Sequence, residues 1–251
     1  MVKTKSIDMQ KVFFKLMICA FIFSAIFAFA FHSVHASTIT LRNQKKITVK
    51  AGDEIKLAKN MSLKKIPKIL KKVNAKKVVA MYPGTAKLKV KKNGKTVSVS
   101  VTVSNLKVLN VKKVAKPKTT FTKEKIKKNS KYVILGFVRK ATCTEPAIVQ
   151  YRKYNGKKKY TAYVGTPMEH RWLLKGEKFV CTVCGVEKKI PASSCKHEWT
   201  TPSAQIGTAI SFENVKGLSF VTESGTECDY TCSKCGETFK NNIQTTFLSV
   251  D

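Results

Sequence analysis

Acidic residues are scarce in this chain: 15 Asp plus Glu stand against 48 Lys plus Arg, a formal net charge of +33. That imbalance excludes an acidic or neutral surface and points to a polyanion as partner, whether nucleic acid, an anionic membrane or another polymer. The scarcity is uneven. Residues 37–140 hold 30 Lys plus Arg and three acids (Asp53, Glu54 and Glu124), a net of +27, whereas residues 141–251 hold 14 and 11, a net of +3. The chain changes character near residue 140. Catalytic signatures are missing as well: the sequence contains no GxSxG, HExxH, phosphate loop or dinucleotide fingerprint. Cys195 and His197 are the nearest thing to a nucleophile and base, but no third group completes a triad, and no convergent set of acid, base and nucleophile is visible. No enzyme is expected. Tryptophan is limited to Trp172 and Trp199, both read as core anchors of small repeats. There is no apolar run at the carboxyl end to serve as a second anchor.

One apolar run does occur, and it comes first. Lys3, Lys5, Lys11 and Lys15 precede Leu16 to Phe31, and Val34-His35-Ala36 forms a small-x-small cleavage signature before Ser37. Residues 1–36 therefore read as an export signal, with an uncleaved membrane anchor as the alternative. Cys19 follows Met17-Ile18 and lacks the small residues of a lipoprotein signal. Export turns the expectation for a polyanionic partner away from nucleic acid and towards anionic cell-wall polymers or surface glycans. Any contact with a membrane is expected only through the signal segment.

The most informative stretch is Ala86 to Ser104. Ala86, Leu88 and Val90 alternate with lysines, Val97, Val99, Val101 and Val103 alternate with Ser and Thr, and Asn93-Gly94 lies between them. Asn-Gly tolerates positive φ at both centres of a type I′ turn. Folding there pairs Lys92 with Lys95, Val90 with Val97, Leu88 with Val99 and Ala86 with Val101, which puts every apolar residue on one face. Short strands are also predicted at Ser37 to Leu41, Ile47 to Lys50, Glu54 to Ala58 and Val78 to Met81. Between Ser62 and Val73, Pro67 forbids an unbroken helix, so one or two turns after it or an irregular crossover is expected. The whole suits a small β-sandwich over residues 37–104.

The order Ile47-Thr48-Val49-Lys50-Ala51-Gly52-Asp53, then Val78-Val79-Ala80, Gly84-Thr85-Ala86 and the valine-rich strand after Lys95, resembles a bacterial Ig-like domain of group 2. The resemblance implies a surface-exposed spacer or adhesion module. This chain departs from it in the middle of the domain, where a Lys-rich segment around Pro67 replaces the usual Trp and Ser-Ser-Asn. Residues 105–131, centred on Lys116-Pro117-Lys118, read as a self-repelling, extended linker. Tyr132 to Val138 opens the second module, residues 132–251.

That module holds seven cysteines. Cys181-Thr182-Val183-Cys184-Gly185 and Cys232-Ser233-Lys234-Cys235-Gly236 are two CxxCG turns, each able to aim two sulfurs at one metal. His170-Arg171-Trp172 precedes the first and His197-Glu198-Trp199 the second, so HxW followed by CxxCG is an internal repeat with unequal gaps. With Ala141-Thr142-Cys143 and Ile190-Pro191-Ala192, the pattern resembles the cysteine-rich repeats of secreted surface proteins of Gram-positive bacteria. A first copy after Glu145 has lost its CxxCG, and Cys228 is an extra cysteine, so any metal site must be assembled between copies. One local ligand set is Cys181, Cys184, Cys195 and His197; the other is Cys228, Cys232 and Cys235 completed by Cys143 or His170. Four side-chain ligands per site would mean structural zinc. Disulfides, favoured by export, and free thiols remain the alternatives, although an odd count of seven resists complete pairing.

The fold class expected is all-β: an Ig-like β-sandwich followed by a small cysteine-rich, zinc-ribbon-like β-hairpin module. The function expected is that of a non-catalytic secreted cell-envelope protein, with an adhesion or spacer role through the basic domain. The alternatives are a secreted module built on structural zinc and, if the amino terminus stays inside the cell, a zinc-ribbon nucleic-acid binder.

Overall fold

The computed structural model describes residues 37–111, 114, 116–189, 195–200 and 207–250. The expected export signal lies outside the described residues. So does Ile190-Pro191-Ala192.

Apolar residues at every second position build the amino-terminal half as two four-stranded layers. One consists of β1 (Thr38–Leu41), β3 (Glu54–Leu57), β6 (Lys77–Ala80) and β5 (Leu70–Asn74), in the order β1-β3-β6-β5. The other consists of β2 (Lys46–Val49), β8 (Lys95–Val103), β7 (Gly84–Lys92) and β4 (Met61–Lys65), in the order β2-β8-β7-β4. Leu41, Ile55, Val78, Leu88, Val90 and Val101 fill the space between them and are fully buried. The β7–β8 hairpin has the register that its pattern demands, from Lys92 opposite Lys95 to Ala86 opposite Val101. Asn93 and Gly94 both take positive φ, 49° and 80°. The segment around Pro67 is neither helix nor loose crossover. It forms two strands, β4 paired to β7 and β5 paired to β6, which carry the chain from one layer to the other, and Leu70 N closes a turn on Pro67 O at 2.9 Å.

Residues 105–131 are not an extended linker over their described length. Leu109 N donates to Phe137 O at 2.7 Å, and Phe137 N donates to Lys107 O at 3.0 Å. A Cβ added to Gly136 would lie 2.5 Å from Lys107 O, so glycine is what permits this approach. Further on, β9 (Thr120–Phe121) runs parallel to a strand of the second module, and α1 (Lys123–Lys128) starts at Thr122, whose hydroxyl accepts from Lys125 N at 3.2 Å. Charge repulsion among these lysines is outweighed by backbone pairing and by Ile126, which is buried.

The carboxyl-terminal half has three sheets rather than one small hairpin module. β10 (Tyr132–Arg139), β11 (Ala147–Lys153) and β12 (Lys159–Val164) form a sheet with β9. β13 (Trp172–Lys175), β14 (Lys178–Cys181) and β15 (Glu187–Lys189) form the second. β16 (Trp199–Thr200), β17 (Thr208–Val215), β18 (Leu218–Cys232) and β19 (Thr238–Ser249) form the third. One core gathers Phe137, Val149, Val164, Leu218, Phe220 and Leu248. A smaller aromatic one gathers Phe179 and Tyr230 with Trp172, Trp199 and Phe239 around them.

The two halves pack against each other. Val133 belongs to the sandwich core, and Leu135 and Tyr154 lie against it. Arg152, 3% exposed, donates to the carbonyls of Lys153 (2.9 Å), Tyr154 (2.9 Å) and Gly156 (2.7 Å), and across the boundary to that of Gly52. Tyr82 Oη and Lys216 Nζ both donate to Asn129 O, at 3.0 and 2.6 Å. Burial pushes the Tyr82 phenol up and the Lys216 ammonium down from their ordinary values. The turn Lys216-Gly217 sits so close to the sandwich that a Cβ on Gly217 would fall 2.5 Å from Pro83. Among the described residues no helix is long and apolar enough to cross a membrane.

Candidate metal centres

The repeat read from the sequence becomes a repeated piece of geometry. The HxW strand pairs antiparallel with the strand that leads into the CxxCG turn, and the register is the same twice: Trp172 faces Cys181 and Trp199 faces Cys232. In each turn the glycine amide closes back on the first cysteine, Gly185 N to Cys181 O and Gly236 N to Cys232 O, both at 2.9 Å. Both glycines have positive φ, 73° and 76°, which L side chains rarely adopt. The residue after the first cysteine donates back to the HxW strand, Thr182 N to Arg171 O and Ser233 N to Glu198 O, both at 2.8 Å.

A third cysteine completes each cluster from elsewhere in the chain. The two groups are Cys143, His170, Cys181 and Cys184, and Cys195, His197, Cys232 and Cys235; within each, the four ligand atoms lie within 4.8 Å of one another. Cys143 Sγ is 3.8 Å from Cys181 Sγ, and Cys195 Sγ is 3.9 Å from Cys232 Sγ. His170 Nδ1 is 3.4 Å from Cys184 Sγ, and His197 Nδ1 is 3.5 Å from Cys235 Sγ. A disulfide needs about 2.05 Å between sulfurs, and none of the seven described cysteines is in one. Two thiolates about 2.3 Å from a tetrahedral zinc lie ~3.8 Å apart, and a thiolate and an imidazole nitrogen on the same ion lie ~3.6 Å apart. The observed separations match the edges of that tetrahedron.

The structure groups these cysteines and histidines differently from the sets read from the sequence. Cys195 and His197 do not join Cys181 and Cys184; they join Cys232 and Cys235, while Cys143 and His170 together complete the first cluster. Cys228 lies outside both groups, buried with Phe179 and Tyr230 in the aromatic core. Grouping by proximity in sequence fails because each strand pair closes over a connection of its own length, short between Trp172 and Cys181 and long between Trp199 and Cys232.

Electrostatics differ within each cluster in the same way. Burial, together with the neighbouring Cys184 and Cys181, pushes the Cys143 thiol up to about 12. A hydrogen bond with Cys235, then burial and Cys232, raises Cys195 to about 11. Burial opposes ionisation of Cys181 and Cys232 too, but it is outweighed. Backbone groups of Cys184, Val183 and Arg171 and the His170 ring hold Cys181 at about 6; those of Cys235, Glu198 and Lys234 and the His197 ring do the same for Cys232. Three thiolates this close repel one another, so all can ionise together only around a cation. Burial, against a backbone hydrogen bond from Asn241 and with the nearby Glu227 and Asp229 adding to it, lifts Cys228 to about 11.

The surroundings brace the histidines, and here the sequence was silent. His197 turns Nε2 towards Glu237, 3.4 Å away, immediately after the second turn. The carbonyl of His170 accepts from Asn241 Nδ2 at 2.8 Å, and Arg171 bridges to Glu227 at 2.9 Å and to the buried Glu223. Phe179, 1% exposed, is packed by both Trp172 and Trp199, stacked on Phe239 at 3.7 Å and edge-on to Trp199 at 5.7 Å. Trp172 and Trp199 pack against His170 and His197 at 4.9 and 4.8 Å between ring centres. A tetrahedral ion in either cluster would have all four positions filled by side chains, leaving none for water.

No protein-family model matches the chain, and no curated protein matches it. Among solved structures, a crystal structure of the S-layer protein rSbsC(31-844) aligns at 15% identity over 80% of this chain and 33% of that one, with a TM-score of 0.18. The chain thus spans about a third of that protein, and a similarity of this size carries no argument about either fold or function.

Proposed function

We propose that this protein is a non-catalytic component of the cell envelope, exported by its first 36 residues, whose carboxyl-terminal half is clamped by two structural zinc ions. The observation that carries this reading is the same Cys3His tetrahedron built twice from the same strand register. Zinc suits the donors: three soft thiolates and one imidazole, at tetrahedral spacing, in a closed site. Each ion would tie an HxW strand, a CxxCG turn and one distant cysteine into a single unit, and the aromatic core around Phe179 would be held from both sides. Native mass spectrometry of protein purified under reducing, metal-replete conditions tests it. Two zinc ions per chain are expected; a metal-free chain, or one with paired disulfides, overturns it. Amino-terminal sequencing of the secreted protein should begin at Ser37, and recovery of the intact chain from the cytosol would end the export part of the reading.

The charge supports a second role beside the first. The +27 of residues 37–140 would hold the protein to an anionic wall polymer or glycan, with retention that falls as salt rises because exposed charges are screened. Binding that persists unchanged to high ionic strength would remove this role.

A further inference from the structure

The two layers of the sandwich are not equally basic. The sheet β1-β3-β6-β5 carries Glu54 beside Lys77, paired at 2.8 Å. The sheet β2-β8-β7-β4 contains no Asp or Glu in any of its four strands. On its outer face Lys87, Lys89 and Lys91 stand exposed at every second position of β7, opposite Ser100, Ser98 and Thr96 of β8. Ser100 in turn faces Lys46 of β2, so its hydroxyl lies between two lysines. On the far side, Lys65 faces Lys89, and Lys64 Nζ rests on the Thr96 hydroxyl at 2.9 Å. The result is a lattice of ammonium groups alternating with hydroxyls, spaced ~6.8 Å along a strand and ~4.8 Å across.

We propose that this face is the binding surface for a linear phosphodiester polymer without bases, such as a chain of polyol phosphates. The inference rests on the polyanion role proposed above and gives it a place and a ligand chemistry. A phosphodiester suits the lattice because one phosphate accepts from an ammonium and a neighbouring hydroxyl at once, and charge-assisted bonds of this kind are the stronger ones. A three-carbon phosphodiester repeat spans a distance close to the strand repeat, so successive phosphates can meet Lys87, Lys89 and Lys91 in turn. Nucleic acid is disfavoured because single strands are held by stacking bases on aromatic rings and by Arg. The outward positions of these four strands offer Lys, Ser and Thr, with no aromatic residue and no Arg.

The test compares binding of poly(glycerol phosphate) by the purified protein, by K87Q/K89Q/K91Q and by K56Q/K68Q/K72Q, three exposed lysines off this face. All six side chains are exposed, so unchanged circular dichroism is expected in both variants. The face triple should weaken binding about tenfold or more, as expected when three exposed charge contacts are lost, and should flatten the dependence on salt; the control triple should change it little. Equal losses in both variants would overturn the face and leave diffuse charge binding standing. Failure of the unaltered protein to bind at low salt would overturn the polyanion role itself. Tighter binding to oligothymidylate or to polyglutamate with the same number of charges would overturn the choice of ligand. A T96A/S98A/S100A variant should lose affinity for the phosphate polymer and keep it for polyglutamate; equal loss on both would remove the hydroxyls from the argument.

Discussion

Each cluster depends on a cysteine that no local motif announces. Replacing Cys184 or Cys235 by serine should remove one zinc per chain and leave the other, since the clusters share no ligand; native mass spectrometry reads this directly. Cys228→Ala should leave two zinc ions in place and cost about 1 kcal/mol of stability, the ordinary penalty for trimming one small buried group. Protonation offers a further check. The Cys143 and Cys195 thiols, at about 12 and 11, are protonated at pH 7, whereas Cys181 and Cys232, at about 6, are mostly ionised. Zinc must displace the first pair of protons and not the second, so binding at pH 7 should release at least one proton per site. Affinity should therefore rise with pH above neutrality and fall as the solution is acidified through pH 6, where Cys181 and Cys232 also take up protons. Calorimetric titrations in buffers of different ionisation enthalpy measure that release. That CxxCG and HxW residues gather into Cys/His clusters was legible from the sequence, because both motifs are chemically specific. Their division between two sites was not, because nothing in the order of residues says that β16 pairs with the end of β18.

Strand pairing was legible where a two-residue period met a defined turn, and obscure elsewhere. The β7–β8 register followed from valines and lysines in alternation about Asn93-Gly94. The neighbouring β4 and β5 were hidden because Pro67 suggests a break, and a break between two strands looks the same in sequence as one between two turns of helix. The long β18 was equally hidden by Gly225 and by the bulge between Thr226 and Cys228, which interrupt its alternation. Two glycine substitutions separate local strain from collision. Gly94→Ala meets no atom within 4 Å and should cost about 1 kcal/mol for its φ of +80°. Gly136→Ala drives a methyl into Lys107 O and should cost more, about 2–3 kcal/mol, as overpacking does. Denaturant midpoints of the two variants check the order, and a larger loss for Gly94→Ala would contradict the close approach of residues 107–109 to β10.

The whole chain from Ser37 onward behaves as a single compact unit because the sandwich and the cysteine-bearing half share side chains. Arg152→Met would remove the guanidinium donor from the Gly52, Tyr154 and Gly156 carbonyls, while the Lys153 carbonyl would keep its bond from Gly156 N. A loss of about 3 kcal/mol is expected from hydrogen bonds to a charged group, with unfolding that splits into two transitions in calorimetry. Chelation should act on the other end. Both tryptophans of the protein lie in strands paired to the CxxCG cysteines and pack in the aromatic core beside the Cys/His clusters, so intrinsic tryptophan emission reports on that region. A strong chelator should redden that emission while most of the strand signal in far-ultraviolet circular dichroism persists. One strand bears on both ends of this description. β18, fifteen residues long, begins at the turn seated on Pro83 and ends at Cys232 of the second cluster. At ~3.3 Å per residue it is a lever roughly 50 Å long, and its ladder to β19 keeps it stiff. An ion bound at its tip would therefore tether one end of a strand whose other end is already seated against Pro83.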